Sequence, residues 1–210
     1  MDLILSPEEC RVLGVLIEKD MATPDYYPLS LNALVNACNQ KTNRDPIVSY
    51  DEETVSATVD SLRTRMLSTV LTGGSNRVPK YGHRASETLD LNNREMAVLG
   101  VLLLRGPQTV NEIRTRTESM YRFDDLDAVE TVLRRLADRE MATLLPKQTG
   151  MREPRWMHLL AGEVSAEALA AGALTPVSPV REGLAERVAQ LEIEVEQLKA
   201  LFAEFRKQFD

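Results

Sequence analysis

The stretch Arg77-Val78-Pro79-Lys80-Tyr81-Gly82-His83 decides the architecture, because the chain contains it twice. Seventy-five positions later the chain reads Arg152-Glu153-Pro154-Arg155-Trp156-Met157-His158. Both copies follow the pattern Arg-x-Pro-(Lys/Arg)-aromatic-x-His, and five matches in seven positions seldom arise by chance. A turn-forming run precedes each copy, so we interpret the motif as the return strand of a hairpin that closes each half of a duplicated protein.

The duplication extends through the whole body of the chain. Leu5–Leu16 aligns with Leu91–Leu102 at an offset of 86, with seven of twelve residues identical. Further along, the offset falls to 79 for Leu29–Leu34 and to 74 for Val55–Thr69. Loops accept insertions while core elements are preserved. The falling offset therefore predicts two loop insertions in the first copy, near residues 21–27 and 39–50.

Composition indicates a protein of the reducing cytoplasm. The chain has 210 residues, 43% of them hydrophobic, which is ordinary for a globular protein of one or two domains. No apolar run reaches the length of a membrane span, and the absence of a basic start argues against a signal peptide. The two cysteines, Cys10 and Cys38, show no metal-binding spacing.

Charge is unevenly distributed along the chain. The net charge is −7, but residues 163–210 alone contribute −4, so the overall acidity does not exclude a nucleic-acid partner. No acid lies between Asp60 and Glu87. This segment is a local basic region, and its cations are Arg63, Arg65, Arg77, Lys80 and Arg84.

Helix and strand signals recur in the same order in both copies. Ser6-Pro7-Glu8-Glu9 is a helix start with a capping residue and a glutamate three residues later, and Asn92 with Glu95 repeats it. Gly14 and Gly100 within these first helices predict close packing against another helix. Second helices are predicted at residues 31–38 and 110–117, and third helices at residues 51–66 and 125–140. The outgoing strands of the hairpins are predicted at residues 67–71 and 141–145.

Three helices followed by a two-stranded hairpin predict a winged-helix domain. The predicted fold class is mainly α with small β-hairpins (α+β), with two tandem winged-helix domains at residues 1–86 and 87–162. In domains of this kind the third helix often enters the DNA major groove. The apolar stripe of the first copy's third helix, which we expect to be buried, consists of Val55, Val59, Leu62 and Met66.

The chain changes character after Gly162. Residues 163–182 are interpreted as a linker, and residues 183–210 as a coiled-coil helix, because apolar residues recur there at steps of four and three. Charge pairs between g and e positions favour a parallel homodimer. The alternative is a solitary amphipathic helix that folds onto the body. The predicted dimer seam consists of Leu184, Val188, Leu191, Val195, Leu198, Phe202, Phe205 and Phe209.

Several stretches resemble the YceH-like family of uncharacterised bacterial proteins. The segment Cys38–Pro46 is the most specific of them, and Leu13–Lys19, Tyr27–Asn32, Arg77–His83 and Leu159–Gly162 match as well. The resemblance covers roughly residues 3–162. It implies tandem winged helices in a bacterial cytoplasm and no known activity.

The hairpin cations are candidate phosphate ligands. Wings of this fold commonly touch the DNA backbone, and such contacts position a protein without reading sequence. The alternatives are that these side chains are solvated charges, or that Arg77 and Arg152 pair with local carboxylates. The candidates in the two hairpins are Arg77, Lys80, Arg84, Arg152 and Arg155.

The loop at residues 39–44 is a second candidate nucleic-acid contact. It occurs only in the first copy, so the architecture does not require it. Lys41, Asn43 and Arg44 suit phosphates and base edges. The alternative is a capping loop in which Asn43 or Asp45 satisfies backbone donors.

The third helices argue against simple DNA reading, because acids lie on their exposed faces and repel phosphates. These acids are Glu52, Glu53 and Asp60 in the first copy, and Asp124, Asp125, Asp127 and Glu130 in the second. The recurring His83 and His158 are interpreted as packed wing residues, because no nucleophile pattern, phosphate loop or metal set accompanies them. We therefore expect no enzyme and no cofactor.

Two functions are consistent with the sequence. We favour a dimeric DNA-binding protein, such as a transcriptional regulator, on the basis of the fold and the basic segment. The alternative is a protein-interaction adaptor like the chromosome-maintenance factors that use acidic tandem winged helices. A membrane partner is not expected.

Overall fold

The computed structural model describes residues 3–73, 76–146 and 153–162. The first repeat begins with a long helix, which a short 3-10 turn and a two-residue strand separate from two further helices and a hairpin. Its elements are α1 (Pro7–Ala22), β1 (Leu29–Ser30), α2 (Leu31–Cys38), α3 (Glu52–Thr64), β2 (Ser68–Gly73) and β3 (Asn76–His83).

The second repeat has the same order with shorter strands. The short helix α4 (Ala85–Thr88) joins the repeats, and the elements that follow are α5 (Asn93–Arg105), α6 (Val110–Thr117), α7 (Leu126–Asp138), β4 (Ala142–Leu144) and β5 (Trp156–His158). A single bridge between Gln108 and Trp156 stands where the first repeat has β1.

Two small antiparallel sheets result, one in each repeat. In the first, β3 lies between β1 and β2, with Tyr81 opposite both Leu29 and Val70. In the second, β4 pairs with β5 so that Ala142 lies opposite His158. The described residues therefore form an α+β protein, as the sequence predicts.

The helix starts follow the predicted capping chemistry. The Ser6 and Asn92 side chains each accept a hydrogen bond from the backbone N–H three residues on. In return, the carboxylates of Glu9 and Glu95 each accept one from the backbone N–H of the cap residue. These reciprocal bonds satisfy donors that have no partner inside the helix. The same geometry recurs at Thr109 at the start of α6.

Met66 departs from the prediction of a buried stripe on the third helix. Val55, Val59 and Leu62 are fully buried, but the Met66 side chain is 63% exposed. The helix ends at Thr64, and Met66 has a φ of +60°, which turns the chain before it can complete another helical turn. Glu140, at the corresponding position, has a φ of +57°, so both repeats end the third helix in the left-handed region.

The core is centred on α1 and α5, which are buried along most of their length. A Cβ placed on Gly14 would lie 3.0 Å from Leu103 Cβ, and one on Gly100 would lie 3.0 Å from Ile17 Cγ2. The prediction that these glycines permit close helix packing is therefore confirmed. Each first helix approaches the other more closely than a larger residue allows.

Within the described residues, no helix is long and apolar enough to cross a membrane. The predicted linker and coiled-coil helix, at residues 163–210, lie outside the described part of the chain. Arg152 also lies outside it, and the side chain of Arg77 is not described.

Candidate binding surface

The loop between α2 and α3 is tied at both ends by side chains. The Asn39 amide donates to the Tyr50 carbonyl at 2.7 Å and accepts from the Tyr50 N–H at 2.7 Å. Arg11, buried on α1, donates to the carbonyls of Cys38 and Pro46. Because these bonds close the loop on itself and on α1, the insertion is a fixed part of the body.

Arg44 is the most buried of the predicted nucleic-acid ligands. Its side chain is fully enclosed and forms an ion pair with Glu18 of α1 at 2.6 Å. It also donates to the Ala37 carbonyl at 3.1 Å and to the Gln40 side chain at 2.9 Å. A phosphate would have to break this set of bonds to reach the guanidinium, so Arg44 is unsuited to an external ligand.

The environment of Glu18 shows how strong this pairing is. Burial opposes its ionisation, but the hydrogen bonds and positive charges of Arg44 and, less strongly, Lys19 outweigh burial and hold the pKa of Glu18 below its ordinary value. On the outer side of the same loop, Lys41 and Asn43 are exposed, and Asn43 has a φ of +62°. Arg44 is thus buried, whereas Lys41 and Asn43 of the same loop face solvent.

Two of the hairpin arginines pair with nearby carboxylates. Arg84 binds Glu87 at 2.8 Å on the surface. Arg155 binds Glu112 at 2.8 Å and also donates to the Pro107 carbonyl at 2.9 Å. The alternative of local pairing for Arg77 and Arg152 stays a prediction, because their side chains lie outside the described part of the structure.

Lys80 differs from these arginines. It lies in β3 opposite Ser30 on one side and Leu71 on the other, and it is partly exposed. Among the described residues it forms no ion pair. Of the predicted cations, Lys41 and Lys80 therefore form no ion pair with any residue that the structure describes.

The two recurring histidines have different surroundings. His83 Nε2 lies 3.1 Å from an Asp20 oxygen, and its Nδ1 accepts from the Ala85 N–H at 3.2 Å. Desolvation lowers the pKa of His83 despite Asp20. His158 is buried, no described residue forms a hydrogen bond with its Nδ1, and burial lowers its pKa to about 4. Both histidines lie in the return strands of the hairpins and are neutral at neutral pH.

The cysteines are thiols without nucleophilic character. Cys10 and Cys38 are both buried, and burial raises the pKa of each thiol to about 12. A thiol with so high a pKa is almost entirely protonated at neutral pH. Within the described residues, His, Cys, Asp and Glu side chains form no group with the spacing of a metal site.

An acidic groove runs along the outer face of α3. It is shallow and open to solvent. Leu31, the first residue of α2, and Ala57 provide its apolar surface, and its acids are Glu52 and Glu53 in the first turn of α3 and Asp60 about two turns further on. The sequence indicated the acids but not Leu31, because only tertiary packing brings the start of α2 beside α3. The lining residues are Leu31, Glu52, Glu53, Ser56, Ala57 and Asp60.

With this geometry known, comparison with other proteins gives the family. A family described as "Protein of unknown function, DUF480" matches residues 5–151. The chain belongs to this family. A UPF0502 protein of Solibacter usitatus is 50% identical over the full length of both chains, and one of Pelobacter propionicus is 46% identical over both full lengths. One of Opitutus terrae is 53% identical over 77% of this chain and 72% of its own. The resemblance to an uncharacterised bacterial family is confirmed.

Proposed function

We propose that this DUF480 protein is a protein-interaction module made of two winged helices, and that the acidic groove beside α3 binds a basic segment of its partner. The observation that carries the proposal is the shallow groove itself, in which Leu31 provides apolar surface beside exposed acids. Apolar contact supplies affinity, and complementary charge supplies orientation and selectivity.

The order of elements supports the assignment of a winged helix. Each repeat has a helix, an extended segment, two helices and an antiparallel hairpin, and the extended segment pairs with the return strand. This order belongs to the helix-turn-helix class, in which the third helix is the usual recognition element. In this chain the third helix offers acids, which favours a basic protein segment over a phosphate backbone.

The state of the cations supports the same choice. Arg44, Arg84 and Arg155 already form ion pairs with carboxylates of the same chain, and these carboxylates largely neutralise their charges. A DNA interface would require those pairs to break or would depend on the few remaining cations. The acids Glu52, Glu53 and Asp60 are exposed, although Asp60 also contacts Arg63 at 3.1 Å.

The test is fluorescence anisotropy with a labelled synthetic helical peptide whose lysines and leucines recur at helical spacing. We expect saturable binding at low salt, weakened at least tenfold by the charge reversals Glu52→Lys and Glu53→Lys together. Glu118→Lys, another exposed acid beyond α6, is the matched control and should leave affinity unchanged. Equal weakening by the control, or no saturable binding at all, would rule out the groove.

DNA binding is the second candidate, and the unpaired Lys41 and Lys80 are the observation that favours it. Anisotropy with random-sequence duplex DNA across a salt series tests it. If these lysines contact phosphates, Lys41→Ala with Lys80→Ala should lower the salt slope by about 1 per lost contact. Arg134→Ala removes a cation paired with Glu130 and serves as the control. Absence of binding at low salt would end the DNA hypothesis for the protein acting alone.

A further inference from the structure

Repeat two gathers arginines around a single carboxylate where α5 ends and α6 begins. Glu112, in the first turn of α6, lies 2.8 Å from Arg155 Nη1 and 3.7 Å from Arg116 Nη2. Arg155 also donates to the carbonyl of Pro107 at 2.9 Å, two positions after Arg105, the last residue of α5. We call this group the arginine cluster, and it consists of Arg105, Arg116, Arg155 and Glu112.

Arg105 brings a positive charge to the cluster that has no partner of its own. Its side chain is partly buried, and no residue in the ranges 3–73, 76–146 and 153–162 forms an ion pair or a hydrogen bond with its guanidinium. Burial lowers the pKa of Arg105, and the positive charge of Arg116 lowers it further, so the two guanidiniums are close neighbours. Like charges held close together repel each other, and a bound anion relieves that repulsion.

The cluster has a surplus of two positive charges, because its three arginines face one carboxylate and three minus one is two. Burial opposes the ionisation of Glu112, but the Thr109 N–H and the charges of Arg155 and Arg116 outweigh it and lower the pKa of Glu112. The carboxylate is therefore fully ionised at neutral pH, so its charge is already counted in this surplus.

The neighbouring charges of repeat one do not alter this surplus. Arg44 and Lys19 both pair with Glu18, at 2.6 and 3.3 Å, which leaves one positive charge over. Asp45 contributes one negative charge beside the end of α5, where its N–H donates to the Leu104 carbonyl at 2.9 Å. These four side chains sum to zero, so the two excess charges belong to the arginine cluster.

Two buried polar atoms beside the cluster also have no partner in the described structure. They are the donor Arg155 Nε and the acceptor Gln108 Oε1. The Gln108 amide is fixed there, because its Nε2 donates to the carbonyls of Arg105 and Pro107 at 2.9 and 2.8 Å. Repeat one has the apolar Leu29 at the position of Gln108, so the fold does not require a polar residue there. A buried polar group without a partner is destabilising, and an anion oxygen beside Arg155 would supply the missing acceptor.

We propose that the arginine cluster binds a dianionic phosphate group, as carried by a phosphate monoester or by inorganic phosphate. A phosphate dianion balances two positive charges, and its several oxygens accept hydrogen bonds from guanidiniums that approach from different elements. A carboxylate carries one charge and two oxygens, so it balances only half of the surplus. The site lies in repeat two and does not depend on the groove beside α3.

Isothermal titration calorimetry of the full chain with monomethyl phosphate, at constant ionic strength, tests the site. We expect one monomethyl phosphate per chain and competition by inorganic phosphate. Dimethyl phosphate carries one charge, as each phosphate of a nucleic-acid backbone does, and should bind at least tenfold more weakly. Equal affinities for the two esters, or no saturable binding of either, would overturn the proposal.

Variants locate the binding. Arg105→Gln removes the unpaired charge without breaking a described contact of the side chain, and it should weaken monomethyl phosphate at least tenfold. Arg134→Gln removes a surface arginine that pairs with Glu130 at 3.0 Å, so it is the matched control and should leave the affinity unchanged. Thermal melts should show that phosphate stabilises the parent more than Arg105→Gln. Unchanged affinity in Arg105→Gln, or equal weakening in both variants, would mean that the anion does not bind at the cluster.

Discussion

The two repeats share an apolar core but reinforce it with different polar contacts. In repeat one, the backbone N–H of His83 donates to the hydroxyl of Tyr27, and the His83 ring contacts Asp20 and the Ala85 N–H. In repeat two, His158 is enclosed by the core, and no described residue bonds to its Nδ1. The histidine recurs in both repeats, but its polar contacts differ, because Asp20 of α1 and Tyr27 of the inserted loop contact it in repeat one.

The second insertion of repeat one also serves its neighbour. The Asp45 N–H donates to the Leu104 carbonyl at 2.9 Å, so a loop of repeat one caps the end of α5 in repeat two. Arg44, the next residue back, binds Glu18 beside this contact. The insertion therefore contacts both repeats, because Arg44 pairs with Glu18 inside repeat one while the Asp45 N–H caps a helix of repeat two.

The largest effect should follow removal of the Arg44 side chain. Arg44→Ala removes the buried partner of Glu18 and leaves only the Lys19 ammonium at 3.3 Å, and loss of one partner from a buried pair typically costs about 3–5 kcal/mol. Chemical denaturation measures the free energy of unfolding. Arg155→Ala, which breaks a half-exposed pair in repeat two, is the comparison and should cost about 1 kcal/mol or less. Equal losses would mean that the buried Arg44–Glu18 pair stabilises the protein no more than the partly exposed pair of repeat two.

Acid should destabilise the protein through His158. Its pKa is lowered from an ordinary value near 6.5 to about 4, so the folded state binds fewer protons than the unfolded state between these values. The stabilisation is complete above pH 6.5 and declines by about 3 kcal/mol as the pH falls to about 4. Thermal melts of His158→Leu should show a shallower pH dependence than the parent. Unchanged slopes would exclude His158 as the source.

The close contact of α1 with α5 at Gly14 and Gly100 should leave no room for one added methyl group. Gly100→Ala gains about 1 kcal/mol of helix propensity but places Cβ against Ile17, and overpacking costs about 1–3 kcal/mol. We expect net destabilisation of about 1 kcal/mol in denaturant. Ala57→Gly on the exposed face of α3 measures the propensity contribution alone. A stabilised Gly100→Ala protein would show that the helices have room to separate.

An effect of similar size concerns the hydroxyl that distinguishes the two hairpins. Tyr27→Phe keeps the ring but removes the acceptor for the His83 N–H, at a cost of about 1–2 kcal/mol if that donor stays buried. Tyr26→Phe, at an adjacent and 80% exposed position, should change the unfolding free energy little. Equal unfolding free energies of the two variants would mean that water replaces the hydroxyl and that the Tyr27 hydrogen bond does not stabilise repeat one.

The sequence by itself determined the duplication, the class of fold and the ends of most helices. Capping residues such as Ser6 and Asn92 act within a few positions of the chain, so their effect is visible locally. The periodic apolar residues of α7, from Val129 to Leu136, likewise predict its buried face. The prediction that Met66 is buried was wrong, because a helical period does not show at which residue the chain leaves the helix through the left-handed region.

Only the tertiary structure decided which charges remain available. Lys41, Asn43 and Arg44 are neighbours in sequence, yet Arg44 turns inward because Glu18 lies on a helix 26 residues earlier. The pairing of Arg155 with Glu112 and the place of Leu31 in the acidic groove depend in the same way on distant segments. The reciprocal contact of Gly14 and Gly100 does too, because a sequence pattern marks a helix face but does not specify which other face packs against it.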